Sequence, residues 1–255
     1  MDRLNILNPF DAPVYYTEST ESTMNISRSL ASAGEVHGTV IVAGFQENGR
    51  GRITDRRWEM EKEKGLPFTI LLRFPAIADI PPALTLRTGL AVSLAIEEFA
   101  PSLYGRISVK WPNDIMIDDK KAAGILCEAV GGNVHVGIGV NVAQNDFPAW
   151  LQEKACSIAL AADREIQAAE RFLLLEKILA NLFCELNSVG CSWKHCLEQR
   201  LYKKNERVVF IEGVAGAGKE ITGILSGIGD NGELLISVDG EGKMRSFIAG
   251  ELRVT

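Results

Sequence analysis

Nowhere in this chain does an apolar run approach the roughly 18 residues of a membrane helix, so no spanning segment is expected. Residues 1–13 lack both a basic start and an apolar stretch, which argues against a secretory signal and makes cytoplasmic residence the expectation. An excess of positive charge is missing too. The 27 lysines and arginines are outnumbered by 33 acidic residues, for a net charge of −6, which excludes a uniformly basic nucleic-acid binder. The cysteines Cys127, Cys156, Cys184, Cys191 and Cys196 form no C-x-x-C pair, and their number is odd. That suits a reducing compartment better than a disulfide framework. Cys191, His195 and Cys196 lie close together but lack the fourth ligand of a structural zinc site, so they read as packing residues. No internal repeat is present, and the stretch before Val14 is too short for a helix-turn-helix domain.

What is there is enough for a globular protein of one large and one small domain: 255 residues, 46% hydrophobic and 24% charged. Residues 14–18 read as a strand. Ser22 or Thr23 can cap a helix reaching about residue 33, because either hydroxyl can accept from the free N–H groups of a first turn. Residues 37–45 are β-branched and predict a central strand. Residues 47–64 have no apolar period and predict a long, mobile and functional loop. Strand composition returns over 66–74. Pro81-Pro82 opens a helix to about residue 99, with Leu86, Leu90, Leu94 and Phe99 near helical spacing. Short strands follow at 107–110, 114–117, 121–130 and 134–142, with hairpin turns at Asp118-Asp119 and Gly131-Gly132-Asn133. Helices are expected over 165–188 and 191–202. From Arg207 the texture becomes short strands punctuated by glycine, predicting a small SH3-like barrel. The fold class expected is α+β: a mixed or antiparallel sheet flanked by helices over residues 1–204, and the small β domain over 205–255.

Three segments carry chemistry. Gly49-Arg50-Gly51-Arg52 lets backbone N–H groups and planar guanidinium donors approach an anion together. Trp58, isolated in polar surroundings six residues on, needs a partner to pack against, and an adenine ring would serve. In Lys110-Trp111-Pro112-Asn113-Asp114, the proline breaks the ladder, and Asn113 and Asp114 project at a strand start. A hairpin through Asp118-Asp119 can bring Asp114 and Lys121 to the same end of adjacent strands. Gly137 and Gly139 weaken the last strand and mark a close approach by a ligand or another backbone, with Asn141 able to meet a base or ribose. Gly213 to Lys219 imitates a P-loop, but Glu220 stands where a hydroxyl should hold magnesium, so it reads as a glycine-rich hairpin.

Taken together and in this order, Gly49–Arg52 with Trp58, Lys110–Asp114, Lys121-x-x-Gly124-Ile125-Leu126-x-Glu128 and Gly137–Asn141 resemble the biotin–protein ligases, in the form without an N-terminal DNA-binding domain. The resemblance implies an enzyme that uses ATP, biotin and magnesium to make biotinyl-5′-AMP and then biotinylates a carrier lysine. Biotin contacts are implied from Ser22, Thr23, Gln46, Gly49, Arg50 and Lys121, and adenylate contacts from Arg52, Trp58, Lys110, Asn113 and Asn141. Lys121, Arg50 and Asp114 are implied as catalytic, with Asp114 serving either magnesium or the acceptor amine. The implied partner is the biotin carboxyl carrier domain of a carboxylase, with no nucleic acid and no membrane, and with room for a homodimer.

The chain departs from the family pattern in three places. Met24 replaces the usual asparagine. One extra residue precedes Trp58, so Arg56 and Arg57 compete for one family arginine. Residues 59–64 are charged where the family pattern differs, which bears on the adenine clamp more than on biotin. Two rival readings stand beside it: a lipoyl or octanoyl transferase or ligase of the same fold, against which Arg50-Gly51-Arg52 with Lys110–Asp114 favours biotin, and a biotin-binding sensor with weakened catalysis, against which Lys121, Arg50 and Asp114 argue.

Overall fold

The computed structural model describes residues 1–52, 57–58, 60–187, 193–213 and 218–253. Strand β1 (Asp2–Leu4) precedes β2 (Val14–Thr20), helix α1 (Thr23–Ser32) and β3 (Thr39–Gln46). Two-residue strands β4 (Gly49–Arg50) and β5 (Arg57–Trp58) come next, then β6 (Gly65–Arg73), α2 (Leu84–Phe99), β7 (Ile107–Lys110), β8 (Asp114–Ile117), β9 (Lys120–Val130) and β10 (Asn133–Asn141). Helices α3 (Ile158–Ala162), α4 (Glu170–Asn187) and α5 (Trp193–Glu198) lead to β11 (Arg207–Glu212), β12 (Lys219–Ile228), β13 (Leu234–Val238), β14 (Met244–Phe247) and β15 (Gly250–Leu252).

An eight-stranded sheet runs β1-β2-β3-β6-β10-β9-β8-β7. Only β2 and β3, joined through α1, pair in parallel; the other pairs are antiparallel, so the sheet is mixed, as expected. Alternation along β10 separates its two faces. Val134, Val136, Ile138 and Val140 enter the hydrophobic core with α2 and α4. His135, Gly137, Gly139 and Asn141 face the other way, where α1 lies against β3, β6 and β10.

Helix boundaries shift for local reasons. Ser22 occupies the N-cap of α1, but its side chain makes no capping bond. Helix α2 begins only at Leu84, after Ala83 in the left-handed region (φ 56°). Helix α4 begins at Glu170 rather than 165, because the Glu170 carboxylate accepts from the Gln167 N–H (2.8 Å) and pairs with Arg164. Strand β1 and helix α3 were not expected.

The second sheet runs β14-β13-β12-β11-β15, with its edge strands consecutive in sequence. Phe247 and Gly250 are three Cα steps apart, at most about 11 Å. The edges of a flat five-stranded sheet lie about 19 Å apart. The sheet therefore rolls toward a barrel, but β14 and β15 do not pair among the described residues, so no closed barrel forms. The P-loop look-alike joins β11 to β12 in an antiparallel hairpin with Glu212 opposite Lys219; its turn, residues 214–217, lies outside the described residues. Trp111 ties the two sheets together: its ring meets Phe210 (centroids 5.9 Å) and its indole N–H donates to the Gly232 carbonyl (2.9 Å).

Candidate active site

Strands β8 and β9 are out of step by one residue. Ile115 faces Ala123, but Met116 faces Lys121, so Ala122 is the extra residue of a bulge. In a regular strand Lys121 and Gly124 would point to opposite faces. The bulge resets the alternation and brings Lys121 onto the face of Asp114 and Gly124. Lys121 Nζ lies 2.6 Å from Asp114 Oδ1, an ion pair whose angle falls outside hydrogen-bond geometry. The two residues are not at the same end of the hairpin, as the sequence suggested: Asp114 sits opposite Gly124, far from the turn, and the lysine side chain spans the gap. The neighbouring chain steadies the bulge, since Lys121 N–H donates to Lys154 O (2.8 Å) and Cys156 N–H donates to Lys121 O (3.0 Å).

Glycines floor this face. Gly124 and Gly139 are register partners, and Gly137 follows two residues along β10. The Trp58 indole rests on them. A Cβ at Gly139 would come 2.8 Å from its ring atoms, and one at Gly124 would come 3.2 Å. Lys121 Nζ stands 5.4 Å from the Trp58 ring centroid, within cation–π range. Met24 fills the adjoining space, its Sδ 2.9 Å from a Cβ at Gly137. The approach that these glycines permit is made by side chains of the chain itself.

The loop of residues 47–64 is not structureless. Gly49 pairs with Trp58 and Arg50 with Arg57, a short hairpin at its mouth, while Arg56 and Glu59 lie outside the described residues. Met60 is buried against Gly65. Thr23 and Gln46 meet in front of the glycines: Gln46 Oε1 accepts from Thr23 N–H (2.8 Å) and Thr23 Oγ1 (3.0 Å). Buried Ser22 precedes them, and Gly49 stands beside the amide, a Cβ there lying 3.4 Å from Gln46 Nε2.

The remaining residues singled out in the sequence are spread around this centre. Arg50 is exposed. Arg52 donates to the Gly250 carbonyl of the second sheet (2.7 Å). Lys110 is buried at the end of β7. The Asn113 amide donates to Ile125 O (2.9 Å), and Ile125 N–H returns a bond to Asn113 O (2.9 Å), so Asn113 fastens the turn to β9. Asn141 donates to Cys156 O (3.0 Å) and leaves Oδ1 buried without a hydrogen bond. The Cys191 cluster cannot be followed, because Cys191 lies outside the described residues; among those residues no group of three potential ligands could hold a metal ion.

Sequence reasoning passed over Arg171. It is 4% exposed, donates to Glu63 O (2.8 Å) and stacks on Tyr16 and Phe172. It thereby anchors the exit of the loop. The available signal was its position on the apolar stripe of α4 with Leu174, Leu175, Ile178 and Leu182. Thr69, fully buried in β6, was also missed; its hydroxyl lies 2.8 Å from that of Thr23.

The family model of the Biotin/lipoate A/B protein ligases matches residues 16–145, half of the chain, over the elements that build this face. The chain belongs to that family. Among curated proteins, the bifunctional ligase/repressor of Bacillus subtilis is 38% identical over 165 residues, a match covering 60% of this chain but only 48% of that protein. The chain thus spans about half the length of that relative. A biotin--[acetyl-CoA-carboxylase] ligase of Paracoccus denitrificans is 31% identical over 205 residues, covering 77% of this chain and 82% of its own length. Among solved structures, the biotin protein ligase of Aquifex aeolicus in complex with biotin and ATP superposes with a TM-score of 0.76 at 29% identity, covering 94% of this chain and 97% of that one.

Proposed function

We propose that the protein is a biotin–protein ligase, making biotinyl-5′-AMP from biotin and ATP and transferring biotin to a lysine of a biotin carboxyl carrier domain. The observation that carries this reading is the Lys121–Asp114 pair on a glycine floor beneath Trp58. Biotin's carboxylate and the α-phosphate repel each other, so their reaction needs fixed positive charge at the point of contact. Lys121 supplies it once the substrate carboxylate displaces Asp114. A carboxylate oxygen then bonds to the α-phosphorus as the bond to pyrophosphate breaks. Arg50 and Arg52 hold the phosphates, Arg52 by leaving the Gly250 carbonyl. Trp58 covers the adenine, and Lys110, Asn113 and Asn141 face the adenosine side. In the second half the carrier amine bonds to the acyl carbon, the bond to AMP breaks, and the ammonium proton passes to Asp114 or water.

Magnesium ordinarily binds through one or two carboxylates plus substrate phosphates. Asp114 fits that mode as the carboxylate paired with Lys121, and the ion would neutralise phosphate charge there. Cytoplasmic residence, where ATP and the carrier would be met together, is part of the same reading. Ser22, Thr23, Gln46 and Gly49 surround the biotin ring.

The rival acyl-transferase reading, in the form that passes its acyl group through a cysteine, needs an easily formed thiolate. Cys156, next to Lys121 through the backbone, is pushed up to about 12 by burial, and Cys127 to about 11. Neither is poised to attack. The deciding assay is exchange of labelled pyrophosphate into ATP, which requires reversible adenylate formation. Biotin should support it, and lipoate or octanoate should not. Exchange driven by the latter acids, or none with biotin, would overturn the reading.

A further inference from the structure

The hydrogen bonds around Gln46 have a direction that can be worked out. The Thr23 backbone N–H can only donate, so the amide atom facing it at 2.8 Å is oxygen and not nitrogen. The Thr23 hydroxyl, 3.0 Å from the same oxygen, donates its one proton there. It then has only lone pairs to offer Thr69 at 2.8 Å, so Thr69 must be the donor. The chain runs one way: Thr69 O–H to Thr23 O–H to Gln46 C=O. It ends on the Gln46 NH₂, which makes no hydrogen bond among the described residues and lies beside Gly49 at the loop mouth.

Bonds aligned head to tail polarise one another, and an amide whose oxygen accepts two of them becomes a better donor at nitrogen. Thr69 is well placed to hold this arrangement. It is fully buried, fixed between β3 and β10, opposite Gly137 in register, and its hydroxyl has no other hydrogen bond among the described residues.

We propose that Thr69 is a positioning residue that reinforces the polarity the Thr23 N–H imposes on Gln46, strengthening the far end of that amide as a reader of a ring carbonyl oxygen. This rests on the ligase reading in one respect, that the ligand is a cyclic urea acid. The pocket then favours a ring that presents a carbonyl acceptor over an isosteric ring that presents donors.

The probes are biotin and iminobiotin, in which the urea carbonyl is replaced and the protonated ring, like any guanidinium, has no acceptor. Affinities are read by calorimetry, which needs no turnover, and biotin-dependent pyrophosphate exchange is measured alongside. Thr69→Val should weaken biotin about 2- to 10-fold, because the bond that polarises and steadies the Thr23–Gln46 pair is lost. It should raise KM with little change in kcat and narrow the preference for biotin over iminobiotin. Thr69→Ser should restore both. If Thr69→Val does not fold, Thr69→Cys, a weak donor of similar size, should fall between wild type and the loss expected for valine. Equal weakening of both ligands would make Thr69 a packing residue and overturn the proposal, as would unchanged affinity or a wild type that binds neither ring. Binding without exchange would leave the polarity proposal standing and sink the ligase reading instead.

Discussion

Lys121 keeps company with an anion before any substrate arrives. Its side chain is one-third exposed, and its ammonium is held by Asp114 at 2.6 Å. An ion pair at this exposure is worth little to stability, about 0–1 kcal/mol, so an incoming carboxylate can replace the aspartate at small cost. Lys121→Ala leaves Thr23, Gln46 and Thr69 untouched while removing the charge proposed to act at the reacting phosphorus. Adenylate formation should fall about 100-fold or more, with biotin affinity much less affected; single-turnover formation of biotinyl-AMP reads the first, and calorimetry the second. An adenylation rate equal to wild type would remove Lys121 from the chemistry. The pairing of these residues could be inferred from a short hairpin. The bulge at Ala122 that makes it work could not, because a bulge is set by how β9 meets β8 and the 154–156 segment, and no residue type at that point announces it. Thr69 and Arg171 escaped for a similar reason. A polar residue in an apolar run shows that something is being satisfied, but not by what.

At the scale of elements, the informative object is the α1-facing side of β10. Met24 lies over Gly137, and Ser27, one helical turn later, meets His135 Nδ1 at 2.8 Å. Burial lowers the His135 pKa from 6.5, and the nearby Arg28 charge lowers it further; the Glu128 carboxylate, paired with Arg28, and Arg73 act more weakly in opposite directions. The unfolded chain therefore binds a proton more readily than the folded one. The stabilising contribution is fully present above pH 6.5 and is lost as pH falls below it toward the depressed folded value. His135→Asn, which cannot titrate, should flatten the decline in unfolding free energy between about pH 7 and pH 5. Urea denaturation at several pH values tests this; parallel curves for the two proteins would assign the decline to other groups. Apart from β1, the strands of this sheet could be placed from composition nearly to the residue, most directly β3 and β6, whose two-sided burial demands continuous apolar runs. The loop at 47–64 could be placed too, but not its hairpin, whose pairing of Gly49 with Trp58 depends on a floor contributed by β9 and β10.

At the scale of the whole molecule, the change in texture at Arg207 is real, and it marks a second sheet. It does not mark a second core. Trp111, Leu197, Phe210, Leu225 and Ile236 belong to one continuous hydrophobic cluster with the strands of the first sheet. The segment between the sheets is bound at both sides: Val109 N–H donates to Arg200 O, Tyr202 N–H to Val109 O, and Asn205 N–H to Leu225 O. Sequence could not reveal this, because Trp111 reads as part of a site motif and only the fold shows its indole committed to Phe210 and Gly232. The two sheets should accordingly melt in one calorimetric transition, and two resolved transitions would contradict a shared core. The same feature has a use at the bench. If the chain is severed near Lys204, each half keeps one face of the contact between the two sheets. Neither piece should support biotin-dependent exchange alone, and expressing both together should restore it. The protein would then behave as a two-part reporter, silent until whatever is fused to its halves brings Trp111 back to Phe210.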